Sequence, residues 1–365
     1  MTTATAGTIS AADAPPEEPP TSIWGRVTGS FVLRRLVKAL FTIWFVATVT
    51  FFLIRLMPGN PVDTFIATQI NTNGMSRDDA SALAAGLFAF NPTDSLLSQY
   101  ASFITGLARG DMGVSITSPG TTVATVIEIY LPWTLFSVGV ATLISFAVGL
   151  FCGIIMAYRR GSWLDHLLTT IGSILGSIPD YLMAIFILVV LGVKFGLFNV
   201  AAARGAVSPG VHPNLSFDFL SDILYHASLP ILCYVLATVG HWALLMKSST
   251  TETLNEDYVT VAVARGLSDS RIRFGYVGRN AVLPLVTQLA VTLGFVVAGS
   301  IFVETWFKYP GIGSALFTAL QTRDYTVLQG IFLIITISVI VANLLTDILY
   351  SRLDPRIRVA STVSE

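Results

Sequence analysis

Charge is scarce in this chain. Only 12% of the 365 residues are Asp, Glu, Lys or Arg, against about a quarter in soluble domains, and there is no long charge run. Cysteine is nearly missing. Cys152 and Cys233 both lie in apolar stretches, which excludes a disulfide framework and reads as two small buried apolar residues. Four scattered His without a Cys/His cluster argue against a structural metal. No glycine-rich stretch ends in Gly-Lys-Ser/Thr, so a nucleotide loop is missing. Neither a catalytic constellation, a cofactor nor nucleic-acid binding is expected. Apolar residues make up 53% of the chain, and they fall in runs long enough to cross a bilayer. The expectation is an all-α, polytopic membrane protein.

Residues 1–30 read as a disordered cytoplasmic tail rich in Ala, Thr, Pro and Glu, without the positive start and apolar core of a cleavable signal. Residues 31–61 hold a first span, about Leu36 to Leu56, ended by Arg55-Leu-Met-Pro-Gly-Asn-Pro61. Residues 62–131 are less apolar and contain amphipathic pieces such as Ser95 to Leu107, expected to pack over the outer ends of the spans. Residues 132–355 hold five more spans, at about 132–158, 164–198, 227–246, 281–303 and 325–350, and 356–365 form a second cytoplasmic tail. Pro179 removes a helix hydrogen bond inside the third span and predicts a kink there. Asn214-Leu-Ser216 fits a glycosylation triplet that chance also produces.

Six spans put both termini on one face. Fourteen Lys and Arg fall on that face and seven on the other, over far more loop, so the first is cytoplasmic. The long polar stretch 255–284 therefore faces the cytosol. Its grammar predicts two short helices: Asn255 as N-cap with Glu256 and Asp257 in the first turn, Gly266 as a left-handed C-terminal cap, and Ser268 capping a second helix that runs to Pro284.

The stretch Glu256-Asp-Tyr-Val-Thr-Val-Ala-Val-Ala-Arg-Gly-Leu-Ser268, followed by Arg279-Asn-Ala-Val-Leu-Pro284, resembles the coupling loop of ABC-importer permeases of the oligopeptide, dipeptide and nickel branch. Other motifs match in order: Arg109-Gly-Asp-Met-Gly-Val-Ser115, Arg159-Arg-Gly-Ser-Trp-Leu-Asp165, Ser177-Ile-Pro179, Val303-Glu304 with Tyr309-Pro-Gly-Ile-Gly313, Arg323-Asp-Tyr325 and Leu353-Asp-Pro-Arg-Ile-Arg358. The resemblance covers nearly all of the chain after Ser30. It implies a type I importer permease fold in a bacterial or archaeal cytoplasmic membrane, surrounded by lipid. It also implies a second homologous permease, two cytosolic ATPases that each receive one coupling helix, and an external substrate-binding protein. ATP would be hydrolysed on the partners, and Glu256, Asp257, Tyr258, Val259, Ala262, Arg265, Gly266 and Leu267 would carry the coupling. The general signature asks for Glu-Ala-Ala ahead of the glycine, whereas Thr260, Val261 and Ala262 stand here. Ala262 and Gly266 therefore carry over and the Glu does not.

Among single residues, Asp180 after Pro179 either lines the translocation path or caps backbone N–H groups beyond the kink. Glu304 either serves an outer gate, receives the binding protein, or is structural. Gly311 and Gly313 read as turn chemistry. His241 reads as a packing residue and Asp347 as an interhelical contact. Peptide is the first choice of substrate, with oligosaccharide second. An aspartyl protease would need Asp180 and Asp347 close enough to share a proton, in sequence settings that are missing here. An ion-coupled transporter would leave the basic loop without a use.

Overall fold

The computed structural model describes residues 31–56, 61–87, 95–118, 120–211, 214 and 216–353. The expectations for the two tails and for the break at 57–60 lie outside these residues, as does the side chain of Asp347. The chain divides within its first helix, into residues 1–45 and 46–365. In the first unit Phe41 meets Trp44 and Phe45 on one helical face.

The described elements are helical apart from an isolated bridge between Val114 and Thr122. In order they are α1 (Phe31–Arg55), α2 (Pro61–Asn73), α3 (Arg77–Leu87), α4 (Leu96–Ala108) and α5 (Val123–Tyr158). Then come α6 (Trp163–Ser177), α7 (Asp180–Lys194), α8 (Phe217–Leu254), α9 (Asp257–Ala264) and α10 (Asp269–Ala281). The chain continues with α11 (Leu283–Ala298), α12 (Ile301–Phe307), α13 (Ile312–Gln321) and α14 (Tyr325–Leu353). Among the described residues four helices are long and apolar enough to cross a membrane, and the count reaches six if the bent pairs α6–α7 and α10–α11 are one span each.

Local chemistry sets many of the boundaries. Ser95, Thr122, Ser162 and Ser216 each accept a backbone N–H from the first turn of α4, α5, α6 and α8, which satisfies donors a helix start leaves orphaned. Asn214 supports the last of these, since its Oδ1 accepts the Ser216 N–H at 3.0 Å. The second and fourth spans are longer than expected, because helix begins at Val123 and Phe217 and continues through Pro132 and Pro230. Early prolines read as breaks in the sequence, but packing on neighbouring helices tolerates them. The expected kink at Pro179 is a break of 101° between α6 and α7.

Helices α5 and α8 make the most extensive helix pair. Thr134, Ser137, Ala141, Ser145, Gly149 and Gly153 put small buried residues along one side of α5, which lets the backbones approach closely. A Cβ on Gly149 would strike Trp242, and one on Gly153 would lie 2.5 Å from the Ala243 carbonyl oxygen and the Met246 Cβ. Helix α6 crosses α8 where Gly172 faces Gly240. Two turns before the end of α8, Lys247 Nζ sits 2.6 Å from Asp165 Oδ1. Asp165 also accepts the Gly161 N–H at 2.9 Å. The Arg159–Asp165 motif is thus a fold knot that closes the turn between α5 and α6 onto α8.

Candidate functional site

Two places gather the residues singled out from the sequence. The first is the polar loop after α8. Asn255 closes α8 instead of opening the next helix, and the N-cap of α9 is Glu256, which makes no side-chain cap bond. This overturns the expected Asn255 cap: α8 runs on to Leu254, so Asn255 is spent on its end. The predicted glycine corner is present. Gly266 has φ +70°, its N–H reaches the Val263 carbonyl at 2.9 Å, and the Leu267 N–H reaches the Ala262 carbonyl at 3.3 Å. That pair of bonds is the Schellman closure of a helix.

The loop has two faces. Val259 and Ala262 turn inward and pack with Ile272 and Val277, backed by Tyr158, Leu254, Leu267 and Tyr276. Glu256, Asp257, Tyr258, Arg265 and Gly266 are exposed, together with Val261 and Val263. The helical period, not the residue type, decides which valines face out. Tyr258 is tied down from outside, because Asn280 Nδ2 donates to its hydroxyl at 2.9 Å. Beyond Ser268 the expected single helix contains a π-helical stretch, Ile272–Gly278, and bends 42° into α11.

The second place is the elbow between α11 and α12. Gly299 has φ +60° and ψ −160°, a conformation essentially reserved for glycine. Ser300, next to it, is held from two sides. Its Oγ donates to Asp180 Oδ2 at 2.6 Å and its N–H donates to the Tyr234 hydroxyl at 3.2 Å. Asp180 is half-buried at the start of α7, and its Oδ1 also accepts the N–H of Tyr181 at 2.8 Å. Pro179 is exposed and supplies the N-cap position of α7 without a cap bond.

Glu304 follows one turn later and is fully buried. Its Oε1 accepts from Thr134 Oγ1 at 2.9 Å and its Oε2 accepts the Ser314 N–H at 3.0 Å. Thr134 in turn accepts the Ile312 N–H at 2.7 Å. The carboxylate therefore caps the first turn of α13 from another element and ties it to α5. Gly299, Gly311 and Gly313 form the cradle: a Cβ at any of them would collide with the Glu304 carboxyl group. Burial pushes this carboxyl up to about 7, although the Ser314 N–H and the Thr134 hydroxyl pull the other way. Gly311 lies in the expected turn, its N–H reaching the Tyr309 carbonyl at 2.9 Å, and with Gly313 it also provides the room this side chain needs.

Asp180 and Glu304 thus meet the same elbow, whereas His241 lies exposed on α8 away from it. Sequence reasoning missed Thr134, Tyr234, Gly299 and Ser300, because nothing local marks a Thr, Tyr or Ser as the partner of a carboxylate far along the chain. Asp324, quoted from the sequence only within Arg323-Asp-Tyr325, is buried and accepts from Ser115 Oγ at 2.5 Å and Thr117 Oγ1 at 3.0 Å. That contact joins two of the motifs quoted from the sequence. Among the described residues no group of three or more His, Cys, Asp and Glu is arranged to hold a metal.

Comparison with known proteins finds relatives along most of the chain. Residues 149–359 match the family described as binding-protein-dependent transport system inner membrane component. A Brucella suis biovar 1 protein provisionally named a peptide permease is 34% identical over 333 residues, covering 90% of this chain and 99% of its own length. The di/tripeptide transport system permease protein of Pseudomonas aeruginosa is 32% identical, with 90% of this chain and 98% of its own covered. The oligopeptide transport system permease protein of Bacillus subtilis is 27% identical, with 90% and 99% covered.

Proposed function

The chain belongs to the family of binding-protein-dependent transport system inner membrane components, and on that premise we propose that it forms half of the translocation path for short peptides in an ATP-driven importer. Its partners in this reading are a second homologous permease, two cytosolic ATPases and an external binding protein. The names of its relatives support peptide over oligosaccharide. The observation that carries the coupling role is the two-faced loop: α9 is anchored inward by Val259 and Ala262 while Val261, Val263 and Arg265 lie exposed beside Tyr258, which Asn280 holds. A helix packed in this way transmits displacement as a body, and its free face offers apolar contact beside a cation. The ATPases move it only if they bind it with different strength in their two states.

Movement of α9 and α10 reaches α11 directly along the chain, and α11 ends at the elbow held by Asp180 and Glu304. We assign Glu304 and its cradle as the fixed hinge of an outer gate formed by α12 and α13. Asp180 and Pro179 mark the broken span against which that hinge works. Asp180 Oδ2 bonds Ser300, so its contribution to the path runs through this bond.

The test is uptake of labelled di- and tripeptides into vesicles holding the assembled complex. ATP-dependent, vanadate-sensitive uptake is expected, and the ligand extracted from the binding protein should be a peptide. Transport by this chain without ATPase subunits would overturn the reading, and a sugar ligand would overturn its substrate.

A further inference from the structure

A cleft of about 710 Å³ opens beside the coupling loop, between the end of α5, the end of α8 and α10. Its lining includes Tyr158, Arg159, Thr250, Asp269, Arg273 and Phe274. Thr250 is 1% exposed, and its hydroxyl has no hydrogen-bond partner. That is unusual in its setting, because the neighbouring Thr251 and Thr253 hydroxyls both bond back to α8 carbonyls, at 2.7 and 2.8 Å. The buried hydroxyl of Tyr158 also lacks a partner. The Arg273 guanidinium lies over the Tyr158 ring, 4.8 Å from its centroid, and reaches Asp269 only at 3.9 Å. Two hydroxyls buried without partners cost free energy that a bound acceptor would recover.

We propose that this cleft binds the phosphodiester head of an acidic phospholipid from the cytoplasmic leaflet. The donors are two hydroxyls and two guanidiniums, which suits a group with several acceptor oxygens and no donor of its own. The two guanidiniums and the Asp269 carboxylate leave one positive charge, which matches the single negative charge of a phosphodiester. Asp269, highly exposed at the mouth, is placed to accept from head-group hydroxyls. Ile154, Ile155 and the exposed ring of Phe274 give the cleft apolar walls. Those walls favour a lipid over a soluble phosphate, and basic pockets between helices at the cytoplasmic surface are where such heads bind. Because α5, α8 and α10 all contribute, the bound head would brace the segment that carries α9. The site rests on the cytoplasmic placement proposed above, but its test reads lipid and not uptake, so either reading can fail alone.

The experiment uses the assembled complex in bilayers of phosphatidylcholine, with and without phosphatidylglycerol, followed by extraction and quantification of retained lipid. Preferential retention of phosphatidylglycerol is expected, and Arg273→Ala should lower it roughly tenfold or more, since a charge-assisted bond is lost. Thr250→Val keeps the volume and removes a hydroxyl that has no partner in the protein. It should leave the melting temperature in phosphatidylcholine unchanged or higher while losing most of the gain that phosphatidylglycerol gives wild type. Arg265→Ala, outside the cleft, should retain lipid as wild type does. Equal retention by wild type, Arg273→Ala and Thr250→Val overturns the proposal, as does displacement of the lipid by soluble glycerol phosphate at comparable concentration. A segment of an ATPase seated in the cleft of the assembled complex would also overturn it.

Discussion

Glu304 joins α12 to α5 and α13 through one buried carboxyl group, and its chemistry makes it sensitive to pH. Its folded carboxyl sits at about 7 against an ordinary value of 4.5. A raised acid binds more protons folded than unfolded between those values, so its contribution to stability falls as pH rises through that window. The expected outcome is a melting temperature in detergent that declines from about pH 5 to about pH 7, with a loss on the order of 3 kcal/mol from this group. Glu304→Gln, which stays neutral, should flatten the decline, and an unchanged pH profile would remove the titration from the account. Gly311→Ala places a methyl group against the same carboxyl and should cost about 1–3 kcal/mol, as overpacking does. Glu304→Ala in the same chain should recover part of that loss.

At the scale of elements, α9 ends at a glycine for a reason that separates strain from sterics. Nothing lies within 4 Å of a Cβ on Gly266, yet its φ is +70°. Gly266→Val therefore has room at its Cβ and is penalised through its backbone by about 1–2 kcal/mol, while Gly266→Asn should be tolerated better. Peptide-stimulated ATP hydrolysis by the complex, with membrane insertion checked, should fall for Val and persist for Asn. Equal activity in both would reduce the corner to a plain turn. The knot between α6 and α8 makes a second prediction at this scale. Asp165 is 4% exposed, and Lys247→Met would leave it with only the Gly161 and Thr169 donors, a loss of about 1.5–3 kcal/mol. Asp165→Asn in addition should restore much of the melting temperature. The glycine corner was legible in the sequence because a C-terminal cap is a local pattern of a few residues. The inward and outward faces of α9, the π-helical stretch and the Asp165–Lys247 pair were not, since each depends on which element lies opposite.

Across the whole molecule, the distribution of positive charge predicts which loops face the cytosol. Single cysteines at Ser270 and Ser118, both exposed, in a background lacking Cys152 and Cys233, should label from opposite sides of intact cells. Ser118→Cys should react with an impermeant maleimide and Ser270→Cys only after permeabilisation. Reversed labelling would invert the topology and overturn the coupling role proposed for the 255–284 loop.

The sequence by itself determined the membrane class, the approximate number of spans, the polar loop with its glycine corner and the family. Those depend on composition, on runs of apolar residues and on short local patterns, which survive without knowledge of neighbours. The tertiary structure alone decided that the third span breaks at 101°, that Asp180 and Glu304 converge on the Gly299–Ser300 elbow, and that three glycines make room for one carboxyl group. The bonds of Asp180 to Ser300 and of Glu304 to Thr134 join residues more than a hundred positions apart. They follow from helices packing closely enough that one buried carboxylate must find its donors on another element.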